Sequence, residues 1–143
     1  MGNIKPGKPP KPANIPAASP PSDDLPLLFS FKLLDLTSNE KFCLEKCGDG
    51  YLEKFLVRFR DMSTVTVRQF RTNRSSALRA HPIEWPTTSE PNGFSRLNAQ
   101  LRGEEAWQFE ITANEHGRVH GLLIDDTFFL VWIDPDHLLY PAP

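Results

Sequence analysis

The stretch RVHGLLI (118–124), DD (125–126), TFFLVWID (127–134) decides the architecture. Arg118 to Ile124 reads as a strand. Asp125-Asp126 is long enough for a two-residue hairpin turn. Thr127 to Asp134 is a nearly continuous apolar run, the pattern of a strand that lies centrally and is covered on both faces. Just upstream, AWQFEIT (106–112) alternates Trp107, Phe109 and Ile111 against Gln108 and Glu110, a period of two. Ala113 to Gly117 supplies a turn ending in glycine. No crossover helix fits between these segments, so they pair as a three-stranded antiparallel meander.

Working outward, Leu27 to Thr37 alternates Phe29, Phe31 and Leu33 with Ser30 and Lys32 and reads as a first strand. From Asp49-Gly50 a helix begins, with Leu52, Phe55, Leu56, Phe59 and Met62 as its apolar stripe. Ser63 to Phe70 reads as a strand through Val65 and Val67, or as a second helix capped by Ser63 or Thr64. Arg74 to Ala80 reads as a short helix halted before Pro82. Residues 82–93 form a loop pinned by Trp85, and Ser95 to Arg102 gives one or two helical turns before Gly103. The expected class is α+β: an N-terminal strand, two or three helices, then the meander, with the helices on one sheet face. Residues 26–143 form one domain. Residues 1–25 hold seven of the fourteen prolines and read as a disordered tail.

The chain has 143 residues, 39% of them apolar, with ten Phe and three Trp, enough for one core. No run approaches the roughly 18 apolar residues of a membrane span, and no secretory h-region is visible. Met1-Gly2-Asn3 lacks the Ser or Thr at position six that a myristoylation signal needs. Cys43 and Cys47 have no second Cys pair to complete a zinc site and read as half-buried thiols of a reducing, cytoplasmic compartment. Net charge is −2, but its distribution is uneven. Arg58 to Arg79 carries six arginines and one acid, net +5; Ala80 to Pro143 carries ten acids and three arginines, net −7. Arg68, Arg71, Arg74 and Arg79 are candidate RNA-phosphate contacts, because the guanidinium fork matches phosphate. The alternative is a solvated face whose arginines pair with the acidic half.

Chemistry concentrates at the strand ends. Arg118 and His120 are two apart and share a strand face; His116 lies in the preceding turn; His137 and Tyr140 follow the last strand. Such a set suits cutting RNA without a metal or cofactor. Histidine serves both proton transfers, arginine neutralises the charge growing on the phosphate, and tyrosine orients a base. The spacing of His116 and His120, joined by Asp136 and His137, would suit a metal on a helix, but on an extended strand the side chains stand apart. The plainer readings are polar surface positions of a half-exposed sheet for His116 and His120, an anchor of the C-terminal segment for Tyr140, and a strand-ending turn for Asp134-Pro-Asp-His137.

The run Trp107-Gln-Phe-Glu-Ile, then Gly117-Arg-Val-His-Gly121, then Phe128-Phe-Leu-Val-Trp-Ile133 ending in Asp136-His137, resembles the RelE/ParE toxin superfamily. The order of elements matches over residues 27–140, and the motifs over 107–140. The resemblance implies an endoribonuclease with Arg118 on the phosphate, His120 or His137 in proton transfer and Tyr140 in orientation, together with an antitoxin partner and no membrane. It equally implies the non-nuclease branch, which binds a protein target such as gyrase. The chain departs from the family in its length, mild acidity, proline-rich arm and long 81–93 loop. Three functions follow as expectations: an RNA-cleaving toxin-like enzyme, a non-catalytic interaction domain (gyrase-inhibitor-like or a defence accessory), and an RNA-binding module.

Overall fold

The computed structural model describes residues 22–73, 77–113 and 115–141. The fold is α+β. In chain order the elements are β1 (Leu28–Ser30), α1 (Tyr51–Met62), α2 (Val67–Thr72), β2 (Ala80–Pro82), α3 (Ala99–Arg102), β3 (Glu105–Glu110), β4 (Arg118–Ile124) and β5 (Thr127–Asp134), with short 3-10 turns between them. The strands form one sheet in the order β1-β5-β4-β3-β2. The meander is antiparallel with the expected bounds for β4 and β5. β5 is internal, flanked by β4 and β1.

Four expectations need correction. β1 stops at Ser30 instead of running to Thr37, and it pairs with β5 in parallel. Beyond it the Asp35 carboxylate accepts from the Thr37 and Ser38 backbone N–H groups, a local turn that competes with an extended strand. Residues 80–82 are an edge strand on β3, not the end of a helix. Thr66, not Ser63 or Thr64, caps α2, through a reciprocal capping box with Gln69. Residues 22–25 belong to the fold: Asp24 pairs with Arg68 at 3.0 Å and Asp23 with Arg71 at 3.7 Å. The rest of the expected tail, residues 1–21, lies outside the described residues, as does Arg74.

α1 buries Tyr51, Phe55, Phe59 and Met62, while Leu52 and Leu56 are 68% and 57% exposed. Phe55, Phe59 and Met62 of the expected stripe are thus buried, Leu52 and Leu56 are not, and Tyr51 joins the buried ridge; Arg58 also turns inward. It donates to the carbonyls of Glu110 (2.9 Å), Ala77 (3.1 Å) and Leu78 (2.7 Å), clasping α1 to the end of β3. α1 and α2 cover one sheet face through a phenylalanine-rich cluster built on Phe59, Phe70, Phe109 and Phe128. The other face, free of α1 and α2 and in that sense the helix-free face, is covered by irregular segments and by the one-turn α3 through Leu101. The expectation of helices on one sheet face thus holds for α1 and α2 and not for α3. Phe42, Ile83, Phe94, Trp132 and Leu139 form its core, with Trp85 seated edge-on to Phe94 and Trp132 as the pin of the 82–93 loop.

A β-bulge decides what the helix-free face carries. Opposite β4, His120 pairs with Trp132 and Gly121 with Leu130, so Val131 is an extra residue. Val131 and Trp132, adjacent in sequence, therefore both enter the helix-free cluster. From there on the parity of β5 is reversed, and Asp134 arrives on the same face as His120. Gly121 permits the close approach: a Cβ there would collide with the Phe129 carbonyl and the Phe128 ring.

Candidate functional site

Register brings the polar side chains of the helix-free face into two adjacent rows. One runs His81, Gln108, His120; the other runs Glu110, Arg118, Asp134. Gln108, Glu110, His120 and Asp134 are the buried polar residues among those described, and all four belong to these rows. Their concentration at one end of one face marks the candidate site, since buried polar groups are costly unless satisfied or used.

Asp134 is the anchor. Its carboxylate accepts from His120 Nε2 (3.0 Å) and from the backbone N–H groups of Leu138 (2.7 Å) and Leu139 (2.9 Å). Burial pushes its pKa up, but the His120 hydrogen bond and the two backbone donors outweigh burial, and the carboxyl sits below its usual range. His120 is fully buried, and that desolvation lowers its pKa against the pull of Asp134. It is therefore a neutral imidazole donating through Nε2. The buried Glu110 carboxylate holds two guanidinium groups: Arg79 Nε at 2.9 Å and Arg118 Nη1 at 3.5 Å. Arg79 adopts φ +46°, an uncommon backbone for a non-glycine residue, in the turn that carries it there.

Above these rows lies a polar cleft of about 550 Å³, lined by Arg79, Glu115, Gly117, Arg118, Asp136 and His137 among others. A second hollow of about 260 Å³ shares Arg79 and Arg118 and adds Ala80 and His81. Gly117, at φ +69°, forms the wall where the turn before β4 meets the end of β5; a Cβ there would overlap the Asp134 and Pro135 backbone. His137, at φ +57°, projects from the turn after β5. Desolvation, then the charge of Arg118, lowers its pKa, so it is an unprotonated base at neutral pH.

Arg118 and His137 thus come together, and Arg79 joins them. His120 lies beneath them as a buried support. Tyr140 faces His81 at 5.8 Å, but its hydroxyl accepts from the Glu84 backbone N–H (2.8 Å), tying the C-terminal segment to the 82–93 loop. His116 goes elsewhere. Its Nδ1 meets the Thr112 hydroxyl at 2.9 Å and its ring lies 6.0 Å from Tyr51, on the helix side. Arg68 and Arg71 face Asp24, Asp23 and Glu105 at 3.0 to 3.7 Å, away from the cleft. His81, Gln108, Glu110 and Asp134 were not foreseen as site residues. The alternation of Gln108 and Glu110 in β3, matched to His120 and Arg118 in β4, is the signal that points to two of them.

No group of three or more His, Cys, Asp or Glu among the described residues is disposed to hold a metal ion. No helix among them is long and apolar enough to cross a membrane. Cys43 and Cys47 are half-buried free thiols. On the helix side, Phe31, Leu44, Cys47, Tyr51, Leu52 and Phe55 help line an apolar groove of about 470 Å³. No protein-family model, curated protein or solved structure matches the chain, so its function is read from these side chains.

Proposed function

We propose that this domain is a metal-independent endoribonuclease of toxin type, acting on a phosphodiester held in the polar cleft. The observation that carries the reading is the convergence of Arg79, Arg118 and His137 on one cleft. Glu110 sets the two guanidinium groups side by side, and each keeps N–H donors beyond those that meet Glu110, since a guanidinium has five. Together they suit two oxygens of a phosphate whose charge grows in the transition state. His137, kept unprotonated by burial and by Arg118, suits removal of the 2′-hydroxyl proton. The leaving 5′-oxygen takes its proton from water in the open cleft. Asp134 and His120 support the floor on which Arg118 stands. The same cleft carries Glu115 and Asp136, whose carboxylates repel any anion not gripped directly by the arginines.

The test is incubation of the purified chain with total RNA in EDTA. Cleavage that disappears in Arg118→Ala and His137→Ala, with folding intact, supports the reading; intact RNA with the unsubstituted chain overturns it. A second reading, a non-catalytic domain that binds a protein target or an antitoxin, draws on the apolar groove and its exposed Phe31, Leu44 and Leu52. It expects RNA to survive while a target complex forms independently of Arg118 and His137.

A further inference from the structure

The row His81, Gln108, His120, extended through the His120 hydrogen bond to Asp134 of the neighbouring row, crosses four strands and contains an unresolved pairing of acceptors. At one end His81 Nδ1 lies 2.9 Å from the Pro82 carbonyl, which only accepts, so this nitrogen carries a proton. At the other end His120 Nε2 faces the Asp134 carboxylate, so this nitrogen carries a proton too. A neutral imidazole has one N–H. With His81 neutral, its Nε2 accepts, and Gln108 must offer its amino group across the 2.9 Å contact. Two buried acceptors then remain without a donor, Gln108 Oε1 and His120 Nδ1, on residues directly opposite each other across β3 and β4.

One proton removes the conflict. Once His81 carries a proton on Nε2, that nitrogen donates, and the Gln108 amide turns over so that Oε1 accepts from it. The amino group is then on the side of Gln108 away from His81, available to His120, its directly opposite neighbour on β4. The inferred chain of donors runs from His81 to Gln108, from Gln108 to His120 and from His120 to Asp134.

We propose that His81 is a further anion-binding residue, acting in its protonated form from the hollow that shares Arg79 and Arg118 with the cleft, and that Gln108 turns over to link it through His120 to Asp134. The inference rests on the reading of the cleft as a phosphate site. The proton comes from solvent, and no bond other than N–H forms or breaks. The groups facing His81 are Arg79 and Arg118 in the shared hollow, Gln108 beside it and the Tyr140 ring at its edge, with His120, His137 and Asp134 further off. A cationic His81 adds a third positive charge beside the two guanidinium groups of the hollow, so a bound anion and a proton on His81 attract each other. Anion binding and proton uptake are therefore coupled, each strengthening the other.

The experiment is nitrogen NMR of the full chain with labelled histidine side chains, from pH 8 to pH 5.5, with and without dimethyl phosphate, whose charge is constant over that range. As His81 takes up its proton, His120 is expected to stay neutral while its Nδ1 signal moves in step toward the hydrogen-bonded position. Dimethyl phosphate is expected to bind roughly fivefold tighter at pH 5.5 than at pH 8, the effect of one added, partly screened charge. In Gln108→Met, His81 still titrates but the response at His120 disappears. The relay is overturned if His120 itself protonates, or if its Nδ1 signal is unmoved while His81 titrates. Equal affinity at both pH values overturns the role of His81 alone. No binding at any pH overturns the phosphate reading of the cleft and the anion role of His81 with it.

Discussion

The two faces of the sheet are built on different principles. The helix-covered face is a continuous apolar layer in which Phe29, Phe59, Phe70, Phe109 and Phe128 meet mostly edge to face. The helix-free face puts a tryptophan-centred cluster beside two rows of buried polar groups, roofed by loops and the C-terminal segment. The first face stabilises chiefly through buried apolar area, with the Arg58 clasp at its margin. The second holds charges and hydrogen bonds whose energy depends on protonation. Pure apolar packing and protonation-dependent interactions are thus separated by the thickness of one sheet.

Substitutions test that separation. The largest effect is expected for Asp134→Ala. It removes the partner of a buried histidine and the acceptor of two backbone N–H groups, at a cost of about 3–5 kcal/mol in urea unfolding. Phe109→Ala, on the other face, costs a similar ~3–5 kcal/mol through its cavity. The two differ in acid. The folded pKa of Asp134 is lowered from 3.8, so its contribution is present above about pH 4 and is lost as pH falls further. The unsubstituted chain and Phe109→Ala should both lose that increment in acid; Asp134→Ala should not. If all three lose it equally, the contrast between the faces fails.

Next comes activity. Arg118→Ala is expected to reduce RNA cleavage by about 10²–10³-fold, the cost of removing one donor to a developing oxyanion, while Arg68→Ala, far from the cleft, leaves cleavage unchanged. Equal losses in both would move the site away from the sheet end. A smaller effect separates the histidines. The folded pKa of His120 is lowered from 6.5, so the unfolded chain takes up a proton first, and stability falls as pH drops from 6.5. The loss by pH 5 is at most about 2 kcal/mol from this group, and His120→Gln should flatten that part of the slope. The smallest effect is expected for Leu52→Lys on α1. Its side chain is exposed, and stability should change by no more than about 0.5 kcal/mol in thermal unfolding. A larger loss would mean that the apolar groove belongs to the core.

What could be read beforehand follows from the range of each interaction. β4 and β5 were legible to the residue because a two-residue turn fixes their register locally. β2 was not. It is three residues long, ends in proline and exists only because β3 offers it an edge. The bulge at Val131 was hidden for a different reason: in an unbroken apolar run, a change of parity leaves no mark. Since that change sets the face of Asp134, the anchor of the site was illegible too. Arg118 and His137 stood out as charged groups at strand ends, and the structure brings them to one cleft. His116, equally conspicuous, was drawn to Thr112 and Tyr51 by a turn geometry that composition does not encode.

The parallel pairing of Leu28 with Thr127 has a consequence for biosynthesis. β1 leaves the ribosome before every other strand of this sheet, yet the neighbour that completes it is the last of them to follow. Until then Leu27 and Phe29 have no finished surface to rest on, and the nascent domain must wait with an apolar segment unsheltered. Release of a shortened product lacking β5 would strand that segment permanently, which makes truncated copies natural clients for chaperones and proteases.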